Sequence, residues 1–191
     1  MAGKQAKILS EEQVERLLSF VFTTRNPARN RALVLLSLKA GLRAGEIAKL
    51  TWPMVLDPSG DIARVIELRD QAAKKNSGRL IPIHPDLRNA LAALREASGS
   101  MGSVVRSERG GAMTPVSVCN FFAIAYRAVG LSGCSSHSGR RTFITRAARL
   151  VHKAGGSLRD VQILAGHRSI QTTQRYIDGD SDAQRRLVAL I

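Results

Sequence analysis

Apolar residues recur at helical spacing near the start of this chain, where Val14, Leu17, Leu18 and Val21 fall on one face. Just before them, Ser10-Glu11-Glu12-Gln13 reads as a capping box, with Leu9 and Val14 as its hydrophobic staple. Asn26-Pro27 opens a second helix. That helix is apolar on most sides through Leu33, Val34, Leu35, Leu36 and Leu38, which predicts the central buried helix of the fold. Gly41 ends it, and a short helix over 44–50 is stopped by Trp52-Pro53. The pattern then turns β-branched and predicts strands over 62–68 and 79–83, with a polar loop containing Asn76-Ser77-Gly78 between them. Helical spacing returns from Pro85, with Leu87, Ala90, Leu91 and Leu94 on one face. After a Gly/Ser loop over 98–103 and a Gly110-Gly111 turn, Thr114-Pro115 starts the next helix. Val118, Phe122, Ala125 and Val129 face inward there, and Gly130 closes it. A helix over 138–153 ends at Gly155-Gly156; Ser157 caps another that buries Leu158, Val161 and Leu164 and ends at Gly166. Ser169 is placed to cap a helix carrying Tyr176, which Gly179 breaks. A last helix over 180–191 carries Leu187, Val188, Leu190 and Ile191.

With no internal repeat and no long linker, these elements predict one domain over 1–191, mainly α with a small antiparallel β-sheet (α+β), and a flexible tail over 1–8. Composition sharpens the choice of partner. The 191 residues are 44% hydrophobic, as in a globular protein, yet carry 29 Lys and Arg against 15 Asp and Glu, a formal charge of +14. Such an imbalance points to a polyanionic partner, nucleic acid first and an anionic membrane surface second. The basic residues are spread through predicted helices and loops, which favours a folded binding face over a sticky tail. Cys119 and Cys134 form no C-x-x-C pair, and the four histidines no H-x-x-x-H pair, so free thiols and no metal site are expected. The start of the chain lacks a signal-peptide core, and the longest strongly apolar run, 32–36, is far too short to span a bilayer. A soluble cytoplasmic protein follows as the expectation.

Candidate chemistry gathers at element boundaries. Arg43 sits in AGLRAGEIAKL between two helices, a position slightly unfavourable for a cation near a helix start. Lys74-Lys75 occupies the loop between the strands. His137 and Arg140 lie three apart at a helix start, where free backbone N–H groups favour anions. In LAGHRSIQTTQRYI, Gly166-His167 precedes Tyr176 by nine positions from the histidine, and no apolar stripe accounts for that tyrosine. This set suits phosphoryl transfer: arginines clamp non-bridging oxygens, a tyrosine attacks, and a lysine or histidine protonates the leaving alkoxide.

The order Arg, Lys, His-x-x-Arg, Gly-His, Tyr resembles the catalytic domain of tyrosine recombinases, the phage integrase family. AGLRAGEIAKL resembles the family's first arginine box, KKNSGRLIPI its β-hairpin lysine segment, HSGRRTFIT its His-x-x-Arg box and LAGHRSIQTTQRY its Gly-His to Tyr segment. The likeness runs from about Leu9 to Asp178. It departs at Gly139 and Ala165, both leucine in the usual boxes, and in starting where a catalytic domain starts, with no core-binding domain ahead of it. A stand-alone catalytic domain and an excised fragment both remain open.

The resemblance implies site-specific DNA recombination by strand cleavage and rejoining through a 3′-phosphotyrosine, without metal, cofactor or ATP. Tyr176 would be the nucleophile. Arg43 and Arg140 would clamp the phosphate, and Lys74 (or Lys75) would protonate the 5′-hydroxyl. His137 would assist proton transfer, His167 would bond a phosphate oxygen, and Glu46 would support Arg43. The implied partner is double-stranded DNA, bound by a homo-tetramer on paired sites with accessory DNA-bending proteins, in the nucleoid. The helix over 180–191 would dock in trans. A type IB-like topoisomerase and a non-catalytic DNA-binding module are the alternatives.

Overall fold

The computed structural model describes residues 6–73, 78–176 and 188–189. Helix α1 (Glu11–Phe22) starts at the expected capping box, with Ser10 Oγ accepting from Gln13 N and the Gln13 side chain accepting from Ser10 N. Helix α2 (Pro27–Lys39) is the centre of the molecule: Ala32 to Leu38 are all buried, and α1, α4 (Pro85–Ser98) and α6 (Ser138–Leu150) pack around it. Asn26 holds the cap position of α2 but makes no side-chain cap bond; proline at the first helical position sets the start instead.

Gly41 turns the chain out of α2 at φ +62°, and a Cβ there would lie 2.4 Å from Phe143 Cδ1 of α6. Only glycine satisfies both the left-handed turn and the close approach. The turn delivers the chain directly into α3 (Ala44–Lys49). A 3-10 turn over Trp52–Met54 then buries Trp52.

Strands β1 (Val65–Leu68) and β2 (Arg79–Pro82) pair antiparallel, with Ile66 opposite Ile81. Both are shorter than the pattern predicts. Ile62 is β-branched but leaves the ladder to form an isolated bridge with Leu56, and Ala63 donates to Val55 O, so pairing with β2 starts only at Val65. Helix α5 (Pro115–Ala128) follows, capped by Thr114 and buried through Val118, Phe122, Ala125 and Tyr126.

Helix α6 stops at Leu150, earlier than predicted, because Val151–Ala154 tightens into a 3-10 turn before left-handed Gly155. Helix α7 (Leu158–Ala165) opens with a Ser157–Asp160 capping box and ends at Gly166, φ +61°. Its buried face is Val161, Gln162 and Ala165, while Leu164 is only half-buried. Spacing explains the correction: 158, 161, 162 and 165 follow the i, i+3, i+4, i+7 rule, which 164 breaks. Helix α8 (Ile170–Gln174) begins after Ser169, whose hydroxyl bonds the Gln171 side chain and not the backbone. Ile144, Ala148, Val151, Val161 and Ala165 form a second, smaller core, against which Phe143, Leu158 and Tyr176 pack. The expected helix over 180–191 lies outside the described residues except for positions 188 and 189. Among the described residues, no helix is long and apolar enough to cross a membrane.

Candidate active site

Arg43 occupies the N-cap of α3 in an extended conformation, φ −75° and ψ 155°. A cation there opposes the helix dipole, and Glu46 at the third helical position compensates. Its carboxylate accepts from Arg43 N at 2.9 Å and from Arg43 Nη1 at 2.7 Å. The same carboxylate accepts from Arg79 Nη1 and Nη2 at 3.3 and 3.1 Å. Arg79 Nε also donates to Leu164 O at 2.8 Å, tying β2 to α7. Burial pushes the Glu46 carboxyl upward, but the Arg79 hydrogen bond and charge, with those of Arg43, hold it below the ordinary range. Arg79 escaped the sequence reading, which placed it only in a strand. Its signal was period-two alternation: residue 79 shares the inward face with buried Ile81.

Arg140, in the first turn of α6, is 3% exposed. Its Nη1 donates to Gly41 O at 2.5 Å and its Nη2 to Ala165 O at 2.6 Å. Ala165 ends α7, so its carbonyl lacks a helical partner and sits at the negative end of the dipole, a favourable place for a guanidinium. Burial, and then the Arg43 charge, pushes Arg140 down to about 10, with Glu46 opposing, so it stays cationic at neutral pH. Gly139 also has a reason: a Cβ there would lie 2.4 Å from Ser37 Oγ of α2. The usual leucine could not pass this close.

Arg140 Nη2 lies 3.2 Å from His167 Nε2, and His167 Nδ1 lies 2.9 Å from Thr173 Oγ1. Guanidinium donates only, so Nε2 accepts and Nδ1 carries the proton and donates to the threonine. Burial, followed by the charges of Arg140, Arg43 and Arg79, pushes the imidazole down to about 4, so it is neutral at pH 7. Its ring stacks on Tyr176, with centroids 5.5 Å apart and planes 24° apart. Tyr176 lies just past α8, half-buried, with its N–H on Thr173 O. His137, Arg140, Arg141 and Tyr176 line one cleft of about 320 Å³. His137 itself is exposed at the N-cap of α6. Lys74 and Lys75 lie outside the described residues.

Tyr126, the other tyrosine, is 1% exposed, and burial pushes its hydroxyl well above the usual range. Tyr176 is therefore the tyrosine with access to a large anionic ligand. Around it, Arg43 and Arg79 share one carboxylate, that of Glu46, while Arg140 is held by two backbone carbonyls and His167. The cluster lacks negative charge, and a phosphodiester would supply it.

The phage integrase family model matches residues 7–182. Tyrosine recombinase XerC of Myxococcus xanthus is 30% identical over 184 residues, covering 89% of this chain and 57% of its own. XerC of Herpetosiphon aurantiacus is 28% identical over 200 residues, covering 96% of this chain and 62% of its own. The chain thus spans a little over half the length of these curated relatives. The crystal structure of XerA recombinase superposes with a TM-score of 0.77 at 22% identity, covering 98% of this chain and 65% of that one. The Tn1549 transposon integrase in complex with transposon right end DNA gives 0.76 at 21% identity, covering 97% and 66%. At these identities the superpositions speak to the fold, a mainly helical catalytic domain with a two-stranded antiparallel sheet.

Proposed function

This chain belongs to the phage integrase family, and from that membership we propose that it breaks and rejoins DNA strands in site-specific recombination. The observation that carries the reading is the joining of Arg140, His167 and Tyr176 from three separate elements, beside a cationic cluster with a single carboxylate. Tyr176 Oη attacks the scissile phosphorus and the P–O5′ bond breaks, leaving a 3′-phosphotyrosine and a free 5′-hydroxyl. The departing 5′-oxygen takes its proton from Lys74, or from Lys75 in its place. The phenolic proton leaves toward His137, which lines the same cleft as Tyr176. Arg43 and Arg140 bind the non-bridging oxygens, whose charge grows in the transition state. Glu46 keeps Arg43 and Arg79 in place.

His167 enters this scheme neutral, with Nε2 accepting from Arg140. Its Nε2 donates to a phosphate oxygen only after that bond opens and the ring takes up a proton from solvent, and an arriving phosphate favours this uptake by offsetting the cations that depress its proton affinity. The phosphotyrosine preserves the energy of the phosphodiester, and attack by a 5′-hydroxyl reverses the first step with Tyr176 recovering its proton. Double-stranded DNA is the substrate, held by a homo-tetramer on paired sites, with DNA-bending proteins assisting. A relative of this fold is complexed with transposon DNA, which supports the choice of substrate.

The test is covalent trapping. The full chain, incubated with a pool of nicked random-sequence duplexes and resolved under denaturing conditions, is expected to yield a protein–DNA adduct, and Tyr176→Phe none. An adduct of undiminished yield in Tyr176→Phe overturns the assignment. Sequencing the trapped DNA gives the site. Relaxation of supercoiled plasmid without strand exchange would mark a topoisomerase instead.

A further inference from the structure

Arg141 follows Arg140 on α6 but is held quite differently. Arg43, Arg79 and Arg140 each spend their donors on a carboxylate or a backbone carbonyl. The Arg141 side chain has no hydrogen bond or ion pair among the described residues, and its Nε is buried without a partner. The side chain instead meets Tyr176: the guanidinium carbon lies over the phenol ring, 5.8 Å from the centroid. One residue along a helix turns a side chain by about 100°, so Arg140 and Arg141 leave α6 on different bearings. Arg140 meets the carbonyls of Gly41 and Ala165, and Arg141 meets the tyrosine. Both line the cleft with Tyr176.

We propose that Arg141 is a positioning residue for the nucleophile: it holds the Tyr176 ring in the cleft through a cation–π contact. The inference rests on Tyr176 being the attacking residue. Tyr176 needs such a hold because it lies beyond the last turn of α8, whose five residues give little helical stiffness. Among the described residues its backbone is tied through Thr173 O and a 3.5 Å contact from Thr145 Oγ1. The ring packs on the edge of the second core, with His167 stacked against it and Arg141 over it. A buried Nε–H without an acceptor is costly. Its persistence here means that the guanidinium is placed for the ring, and that it keeps a donor in reserve for a phosphate oxygen entering the cleft. A planar guanidinium stacks on an aromatic face where an ammonium cannot, so lysine replaces it only in part.

Two readouts on the full chain test this. The first needs no DNA: 3-fluorotyrosine labels both tyrosines, and the fluorine resonance of Tyr176 is followed with that of Tyr126 as internal control. Arg141→Gln is expected to shift and narrow the Tyr176 resonance while Tyr126 stays in place, with Arg141→Lys between the two. The second is the single-turnover rate of adduct formation on the nicked random-sequence pool. A cation–π contact in a partly desolvated site corresponds to roughly 3- to 30-fold in rate. Arg141→Gln should lose that factor at saturating DNA with little change in DNA affinity, and methylguanidinium should restore part of the rate to Arg141→Ala beyond a matched salt control. An unmoved Tyr176 resonance together with a wild-type rate overturns the positioning role. Absence of any adduct from the unsubstituted chain overturns the recombinase reading instead, and the fluorine signal still decides whether Arg141 holds the ring.

Discussion

His167 is neutral because burial, and then the charges of Arg140, Arg43 and Arg79, disfavour its protonated form, and that has a measurable consequence. Its ordinary value is 6.5 and its folded value is pushed to about 4, so as pH falls the unfolded chain takes up the proton first. Stability is then full above about 6.5 and declines as pH drops toward 4. Thermal unfolding between pH 7 and pH 4.5 should therefore fall more steeply for the wild type than for His167→Asn. Equal slopes would show that the imidazole is not held neutral. Glu46 loses stability in the same direction, since its folded value is also depressed, but its carboxylate remains in both proteins and cancels in the comparison. Arg140 leads to a sharper expectation. Lysine keeps the charge but cannot reach two carbonyls and His167 with one planar head group. Arg140→Lys should reduce single-turnover adduct formation by on the order of 10³-fold. A loss below tenfold, with melting unchanged, would remove the guanidinium from the chemistry.

Gly139 lets α6 approach α2 closely at Ser37. Its missing Cβ would lie 2.4 Å from Ser37 Oγ, and that hydroxyl is buried without a hydrogen-bond partner. Gly139→Ala should destabilise by about 1–3 kcal/mol through overpacking. Adding Ser37→Ala should recover part of it, because the substitution removes both the clash and a buried unsatisfied group. Simple additivity in the double variant, read by chemical denaturation, would show that the two sites do not touch. The sequence marked this glycine as a departure from the family pattern but could not show its cause, which lies 102 positions away in Ser37. Elements governed by local chemistry were legible for the most part, although Asn26 and Ser169 make no side-chain cap bond. The Ser10–Gln13 box, Thr114-Pro115 and the Gly166 stop sit where the residues placed them. Strand limits were not, because they depend on which partner a β-branched residue finds, and Ile62 finds Leu56. The candidate site divides the same way. Its residues could be ordered along the chain, while the bond from Arg79 to Glu46 and the perch of Arg141 over Tyr176 depend on tertiary approach.

At the scale of the whole molecule, charge and the end of the chain set the remaining expectations. A formal charge of +14 should make DNA binding strongly salt-dependent. Neutralising six or so phosphates predicts a slope near −5 in log K against log salt. A flat response in a salt titration would show that the basic surface does not drive binding. The second expectation concerns residues 177–187, 190 and 191, which lie outside the described residues. The last five positions include Leu187, Val188, Leu190 and Ile191. Such a concentration of apolar side chains calls for a covering surface. Val188, which is described, is 71% exposed in the single chain. A neighbouring copy is the cover expected here. Exchange of a terminal segment from one copy to the next closes into a ring where the rotation permits. It would also couple assembly to chemistry, since Tyr176 is only eleven residues before Leu187 and lies just past the short helix α8. Deleting 187–191 should therefore leave a folded monomer that still binds DNA and loses higher-order complexes and strand exchange, as read by sedimentation and by the adduct assay. A truncated chain that unfolds would place the tail in its own core, and one that recombines normally would deny it any part in assembly.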